Sequence, residues 1–241
     1  MSSKRVVIAA AVVAAAIATG TAATGALTFG STAGNQLAQD ASADRSLRAF
    51  EATLQSSGAS YAVQDAVAKA VLPIEFVVDG YRIPNYGIAM GVLDRGRIVD
   101  LTTQIGLRRA IIGTLTDMAE DHLLYDDAIR AHVPGPTHVE IRHAEDGESA
   151  AVAHDKHSPF PSLAAARQYY HSRAFVHGYV RSVLVMRERQ RLTKTRGVVT
   201  PAQAAEERRL LVAWALRSFP GRVTISGVAG LTVEVLAMEV A

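Results

Sequence analysis

The chain contains no cysteine. That removes disulfides, thiolate catalysis, zinc–thiolate sites and a lipid-modified N-terminal cysteine together. Charge is also scarce: Asp, Glu, Lys and Arg make up 20% of the residues, against roughly a quarter in ordinary globular domains. The formal net charge is only +2, too small to argue for nucleic acid on its own. There is no P-loop, no G-x-G-x-x-G, no H-E-x-x-H and no EF-hand loop. Gly147-Glu148-Ser149-Ala150-Ala151 half-matches a nucleophile elbow but sits at a predicted hairpin. No internal repeat occurs, and no low-complexity segment after residue 60. What remains is a chain that must be stable through its core. With 49% hydrophobic residues it has the material, since a domain of roughly 200 residues buries most of its apolar surface.

The N-terminus carries the clearest signal. Lys4 and Arg5 are followed by Val6–Ile17, built only of Val, Ile and Ala, and then by a small-residue stretch, Ala18–Ala26. No charge appears in the 34 residues between Arg5 and Asp40. A charge at the bilayer centre costs several kcal/mol, so a long uncharged window headed by basic residues predicts membrane targeting. Two forms compete. Val6–Ile17 has the length of a signal-peptide core, with small residues after it suited to cleavage. Val6–Phe29 has the length of a retained span, diluted by threonine and glycine. Both leave Lys4 and Arg5 inside and carry residues 40–241 out of the cytoplasm. The expected localisation is therefore membrane-anchored with an extracytoplasmic domain, or secreted or periplasmic.

Three segments follow from this: a signal or anchor at 1–30, an amphipathic helix or stalk at 31–58, and an extracytoplasmic domain at 59–241. Leu37, Ala41, Leu47, Phe50 and Leu54 recur near the helical period in the stalk. Tyr61–Leu72 reads as a short helix stopped by Pro73, and Ile74–Val78 as a strand ending at Asp79-Gly80. Tyr81–Gly87 reads as a turn-rich loop. Ile88–Leu93 and Arg97–Thr102 read as a hairpin around Asp94-Arg95-Gly96. Leu107–His132 is the strongest helix, closed by Pro134-Gly135-Pro136. Val139–His143 and Ser149–Ala153 read as a second hairpin around Asp146-Gly147. Leu163–Lys194 is helical, with a break expected near Gly178. Thr200-Pro201 opens a helix to Ser218. Arg222–Ser226 and Leu231–Val240 read as strands. The fold class is α+β: an N-terminal hydrophobic helix, then one mixed domain of three to four helices with β-hairpins.

Three groups of side chains are candidates for chemistry. All eight histidines lie between His122 and His177. His154 and His157 sit three residues apart, a spacing that serves one metal ion on a turn. Against this, the expected hairpin places His143 opposite Ala150 and His154 opposite Val139, several residues apart on one face, which favours structural or surface histidines. Asp117, Glu120 and Asp121 load one face of the 107–132 helix with carboxylates, fit for acid/base work or for a divalent cation. The competing reading is a solvated helix face or salt bridges to a basic neighbour. From Arg167 to Arg222 there are twelve Lys/Arg against three Glu, densest at Arg187, Arg189, Arg191, Lys194 and Arg196. Intramolecular pairing, anionic lipid head groups and an acidic partner are its three uses. Aromatic interleaving is sparse in that densest run, which argues against nucleic acid.

Two functions fit. The first is a non-enzymatic envelope or surface-assembly protein, held to the membrane by its N-terminal segment and contacting protein partners or further copies of itself. A virion or secretion-machine component has this layout, and so in outline does a pilin. The acidic residue and the glycine cleavage point that pilins use are absent. The second is an exported enzyme, metal-dependent through the histidine cluster. No cofactor is identified by the residues.

Overall fold

A computed structural model describes residues 45–153, 160, 162–195 and 200–240. The expected N-terminal hydrophobic helix and the first part of the stalk lie outside the described residues, as do His154, His157 and Arg196. Among the described residues, helix dominates and one small antiparallel sheet is present, an α+β composition. No helix among them is long and apolar enough to cross a membrane. The chain divides into two compact units. One consists of Leu124–Arg191. The other joins the described residues up to Leu123 to those from Leu192 onward.

The sheet of the first-starting unit is built on strand β1, Glu75–Val78. Phe76 and Val78 are buried while Glu75 faces solvent, the period-two pattern of a half-buried strand. Asp79 and Gly80 both take positive φ, 48° and 78°, which defines a two-residue hairpin turn. Tyr81–Arg82 returns as β2 and pairs Val78↔Tyr81. The expected loop at Tyr81–Gly87 thus begins as a strand. On its other edge β1 pairs antiparallel with β3, Val223–Ser226, in the register Phe76↔Ile225. Arg222, just before β3, grips the turn. Its guanidinium donates to both carboxylate oxygens of Asp79 at 2.6–3.1 Å, and its carbonyl accepts from the Asp79 N–H at 2.7 Å.

The sheet is accompanied by helices. Residues 45–56 form α1, which buries Phe50 and Leu54 but leaves Leu47 exposed. Helix α2, Tyr61–Val71, is capped by the Ser60 hydroxyl. Helix α3, Asn85–Arg95, packs on α2. The Asn85 side-chain amide donates to the carbonyls of Val71 and Leu72, satisfying the open end of α2. Here the expected hairpin around Asp94-Arg95-Gly96 is wrong. Ile88, Ala89 and Val92 are all fully buried at helical spacing, so the apolar run serves one helix face rather than a strand.

Helix α4 runs from Gln104 to Arg130, where a helix over Leu107–His132 is expected. Thr103 caps it, its hydroxyl accepting from Gly106 N–H at 3.0 Å. Ala110, Ile111, Leu115, Ala119 and Leu123 form its buried stripe. It crosses α3 where Gly91 meets Thr114, with no room for a Cβ on Gly91. Past residue 192, α8 (Pro201–Ser218) begins with a capping box between Thr200 and Gln203 and with Pro201 in its first turn, as expected. The chain from Leu231 does not form a strand. Val233–Met238 is the short helix α9, capped by the Thr232 hydroxyl and packed on α8. It buries Leu236 and Ala237.

The unit Leu124–Arg191 holds the end of α4 and three more helices. The second expected hairpin is also overturned: His138–Ala153 is one helix, α5. Thr137 and Glu140 form a reciprocal capping box at its start. The T-x-x-E signature therefore outweighs the Asp146-Gly147 turn signal. His143 and Ala150 lie on this one helix, not opposite each other on two strands. Helix α6, Leu163–Tyr170, packs on α5, and α7 runs Arg173–Thr193. The break falls at His171-Ser172 rather than near Gly178. The Ser172 hydroxyl accepts from Phe175 N–H and starts the new helix, while Gly178 is accommodated inside α7.

Gly227 shows how tightly β3 leaves the sheet. It has φ +83°, and a Cβ there would collide with the carbonyl of Pro73. Gly80 has φ +78° with nothing within 4 Å of that position. The Gly227→Ala variant should therefore lose clearly more stability than Gly80→Ala, because both meet the same backbone penalty and only one meets a wall. Urea unfolding of the two variants side by side measures this; equal losses would mean that the Pro73 contact costs nothing.

Candidate functional site

The basic run on α7 is largely committed within its own unit. Arg187 donates from one guanidinium nitrogen to the carbonyls of Pro134 and Gly135, both at 2.7 Å. Its other terminal nitrogen reaches Glu140 at 2.8 Å. It thereby fixes the Pro134-Gly135-Pro136 connection between α4 and α5. Glu140 is held below the usual carboxylate range, first by the Thr137 N–H, then by the Thr137 hydroxyl and the charge of Arg187. Arg191 makes a two-pronged pair with the fully buried Glu188, at 2.6 and 2.7 Å. That bond, with the charges of Glu188 and Asp127, raises the Arg191 guanidinium above its ordinary value. Arg189 is partly buried, and the exposed Lys194 leaves the end of α7 with φ +57°. Of the four described members of the run, Arg187 and Arg191 serve as internal ties. A solvated basic face would have left their donors to water. The planar five-donor fork of arginine suits this binding of paired oxygens.

The acidic helix face has an equally local partner. Arg95, at the end of α3, donates to Asp117, and its guanidinium lies where a side chain on Gly113 would stand. At Asp117 this is a salt bridge, with a cation that comes from α3. Glu120 is buried at 7% exposure.

Six of the eight histidines are described: His122 lies on α4, His132 just beyond it, His138 and His143 on α5, His171 at the C-cap of α6 and His177 on α7. His122 stacks on Tyr81 at 5.5 Å between ring centres. His171 closes the C-terminus of α6 with Nδ1 3.4 Å from Glu145 and Nε2 4.0 Å from Asp146. Among the described residues no three His, Asp or Glu side chains converge as a metal site. The proposed ligands His154 and His157 are outside that set.

Sequence reasoning missed an aromatic cluster beside this corner. Phe160, Tyr169, Tyr170 and Phe175 pack ring against ring, with centres 5.0–6.3 Å apart. Tyr179 stacks on Phe175 one helical turn on. The signal was present as Phe160, Tyr169-Tyr170, Phe175 and Tyr179 within twenty residues. Rings this close fill their own space, so the cluster is a satellite core rather than an open cage. Glu148 of α5 stands near it. Burial pushes the Glu148 carboxyl above its ordinary value, and burial together with the nearby Glu148 and Tyr169 raises the Tyr170 phenol.

No protein-family model matches the chain, and no curated protein or solved structure matches it either.

The raised Glu148 carboxyl has a stability consequence. The folded state binds this proton more tightly than the unfolded one. Its contribution is thus intact below the ordinary value of 4.5 and is lost as pH rises above it. Glu148→Gln should therefore raise the melting temperature at pH 7 and bring no gain at pH 4. Thermal unfolding of both proteins across that range checks it; a gain that is the same at both pH values would contradict the burial effect.

Proposed function

We propose that the chain is a membrane-anchored or exported interaction protein of an envelope or surface assembly, working through binding rather than catalysis. The observation that carries this is the run of 34 uncharged residues headed by Lys4 and Arg5. A hydrocarbon slab accepts such a run, and the basic head sets its direction. The described residues that follow are mostly helical, and the chain has no cysteine and so no disulfide. Small residues in the apolar run allow close helix packing, the usual means of lateral assembly in a bilayer. A virion or secretion component belongs to this class. The competing reading is an exported enzyme using the histidines. The pairing of His171 with Glu145 and Asp146 favours it, as this imidazole–carboxylate geometry is also used in proton transfer. Elemental analysis of the purified protein separates the two where a metal is involved.

Fractionation of cells followed by mass measurement of the N-terminal peptide tests the main reading. An intact Met1 or Ser2 start in the membrane fraction identifies an anchor, and a start near Thr19–Leu27 outside the cytoplasm identifies a secreted domain. An intact start in the soluble cytoplasmic fraction would overturn the proposal.

A further inference from the structure

Two isoleucines protrude where α3 leads into α4. Ile98 is 79% exposed and Ile105 70%. The turn that carries them is closed on itself. Leu101 lies against Gly96, and the Asp100 carbonyl lies against Gly106 with no room between. The Asp100 carboxylate accepts from the N–H and the hydroxyl of Thr102, and the Thr103 hydroxyl caps Gly106. Residues 96–106 thus have an internal packing of their own, and both isoleucines are left outside it. Burying a large aliphatic side chain is favourable relative to leaving it in water, so a fixed turn that presents two of them is poised to be covered.

The charges around them indicate by what. Arg108 and Arg109 follow Ile105 by three and four residues, which places them on the same face of α4, and both are exposed. Arg97 is next to Ile98 and is 74% exposed. The two nearby acids are engaged: Asp94 pairs with Arg97, and Asp100 with the turn's own Thr102. Arg108 is oriented by the carbonyls of Ala229 and Gly230. Between Arg97 and Arg109 the chain thus exposes two isoleucines and three arginines, with Thr102 and Gln104 between the isoleucines in sequence. Aliphatic tips among basic side chains match the boundary between acyl chains and anionic head groups.

We propose that the turn from Arg97 to Arg109 docks on an anionic bilayer, seating Ile98 and Ile105 at the head-group boundary with Arg97 and Arg109 against phosphates. This rests on the membrane reading above, which keeps the domain within reach of the lipid. It names a second contact with the membrane, through the folded domain.

Because the chain has no cysteine, single labels can be placed on the full chain without background. Ile98→Cys, Ile105→Cys and, as a control, Tyr61→Cys (Tyr61 is 84% exposed) would carry a polarity-sensitive fluorophore. The proteins are reconstituted into vesicles of phosphatidylcholine alone or mixed with phosphatidylglycerol. On the mixed vesicles, labels at 98 and 105 should shift to the blue and lose quenching by aqueous iodide, while the label at 61 stays wet. The shift should shrink on neutral vesicles and with Arg97→Gln and Arg109→Gln combined. Labels at 98 and 105 as wet as the one at 61 would overturn the proposal. So would an equal shift on neutral vesicles, or a shift in detergent that grows with protein concentration and so reports a second protein. Flotation of the same samples keeps the two readings apart: a chain that floats with wet labels defeats only the docking turn, whereas a chain that does not float defeats the membrane reading itself.

Discussion

Guanidinium groups hold the long connections of this chain together. Arg222 ties the Asp79-Gly80 turn to the approach of β3, across 143 positions of sequence. Arg108 binds the carbonyls of Ala229 and Gly230, and Arg95 lies across Gly113 to reach Asp117. In the other unit Arg187 gathers two backbone carbonyls and Glu140. Each tie bridges segments far apart in sequence, where closing a loop costs entropy and no cysteine is available to hold it. Each also supplies donors to carbonyls or carboxylates that would otherwise need water. The apolar stripe of α4 and the buried Phe76 give the first-starting unit its core, and the arginines fix where the connecting chain runs over it.

The legible parts of the fold were those whose local signals agreed with one another. Thr200-Pro201 and Gln203 define the start of α8 from sequence alone, because the cap, the proline and the periodic run point the same way. The long helix α4 was equally plain, but its buried stripe runs through Ala110, Ile111, Leu115, Ala119 and Leu123, and Ile129 is exposed. The hairpin expectations failed where one turn signal was set against a helical environment. Asp79-Gly80 does make a hairpin, with Phe76, Val77, Val78 and Tyr81 around it to fill a pleated surface. Asp146-Gly147 has Glu, Ala and His around it, and Thr137 and Glu140 had already closed a helix cap upstream. Asp94-Arg95-Gly96 ends a helix whose apolar residues fall at helical spacing. At Leu231–Val240, Thr232 marked a helix start that the β-branched run concealed.

The candidate sites divide in the same way. That Arg187 and Arg191 would be internal could not be read from charge counts, because a basic run looks alike whether it faces water or folds onto carbonyls. The position of Pro134 and Gly135 beneath Arg187 is a tertiary fact, 52 to 53 residues distant in sequence. The acidic face of α4 reads from sequence as a partner for the basic residues after Arg167; Asp117 takes a cation from Arg95, a residue expected in a turn. With two arginines of the basic run used inside the fold, the exposed arginines beside Ile98 and Ile105 offer a surface whose apolar and basic groups suit one ligand class.

The central claim is that these ties depend on the arginine fork and not merely on positive charge. Urea unfolding of Arg187→Lys, followed by circular dichroism, tests it most directly. Lysine keeps the charge but cannot hold the Pro134 and Gly135 carbonyls and Glu140 from one rigid plane. A loss of roughly 1.5–3 kcal/mol, the scale of a charge-assisted hydrogen bond, that persists at high salt is the expected result. An Arg187→Lys protein that unfolds together with the parent chain would contradict it.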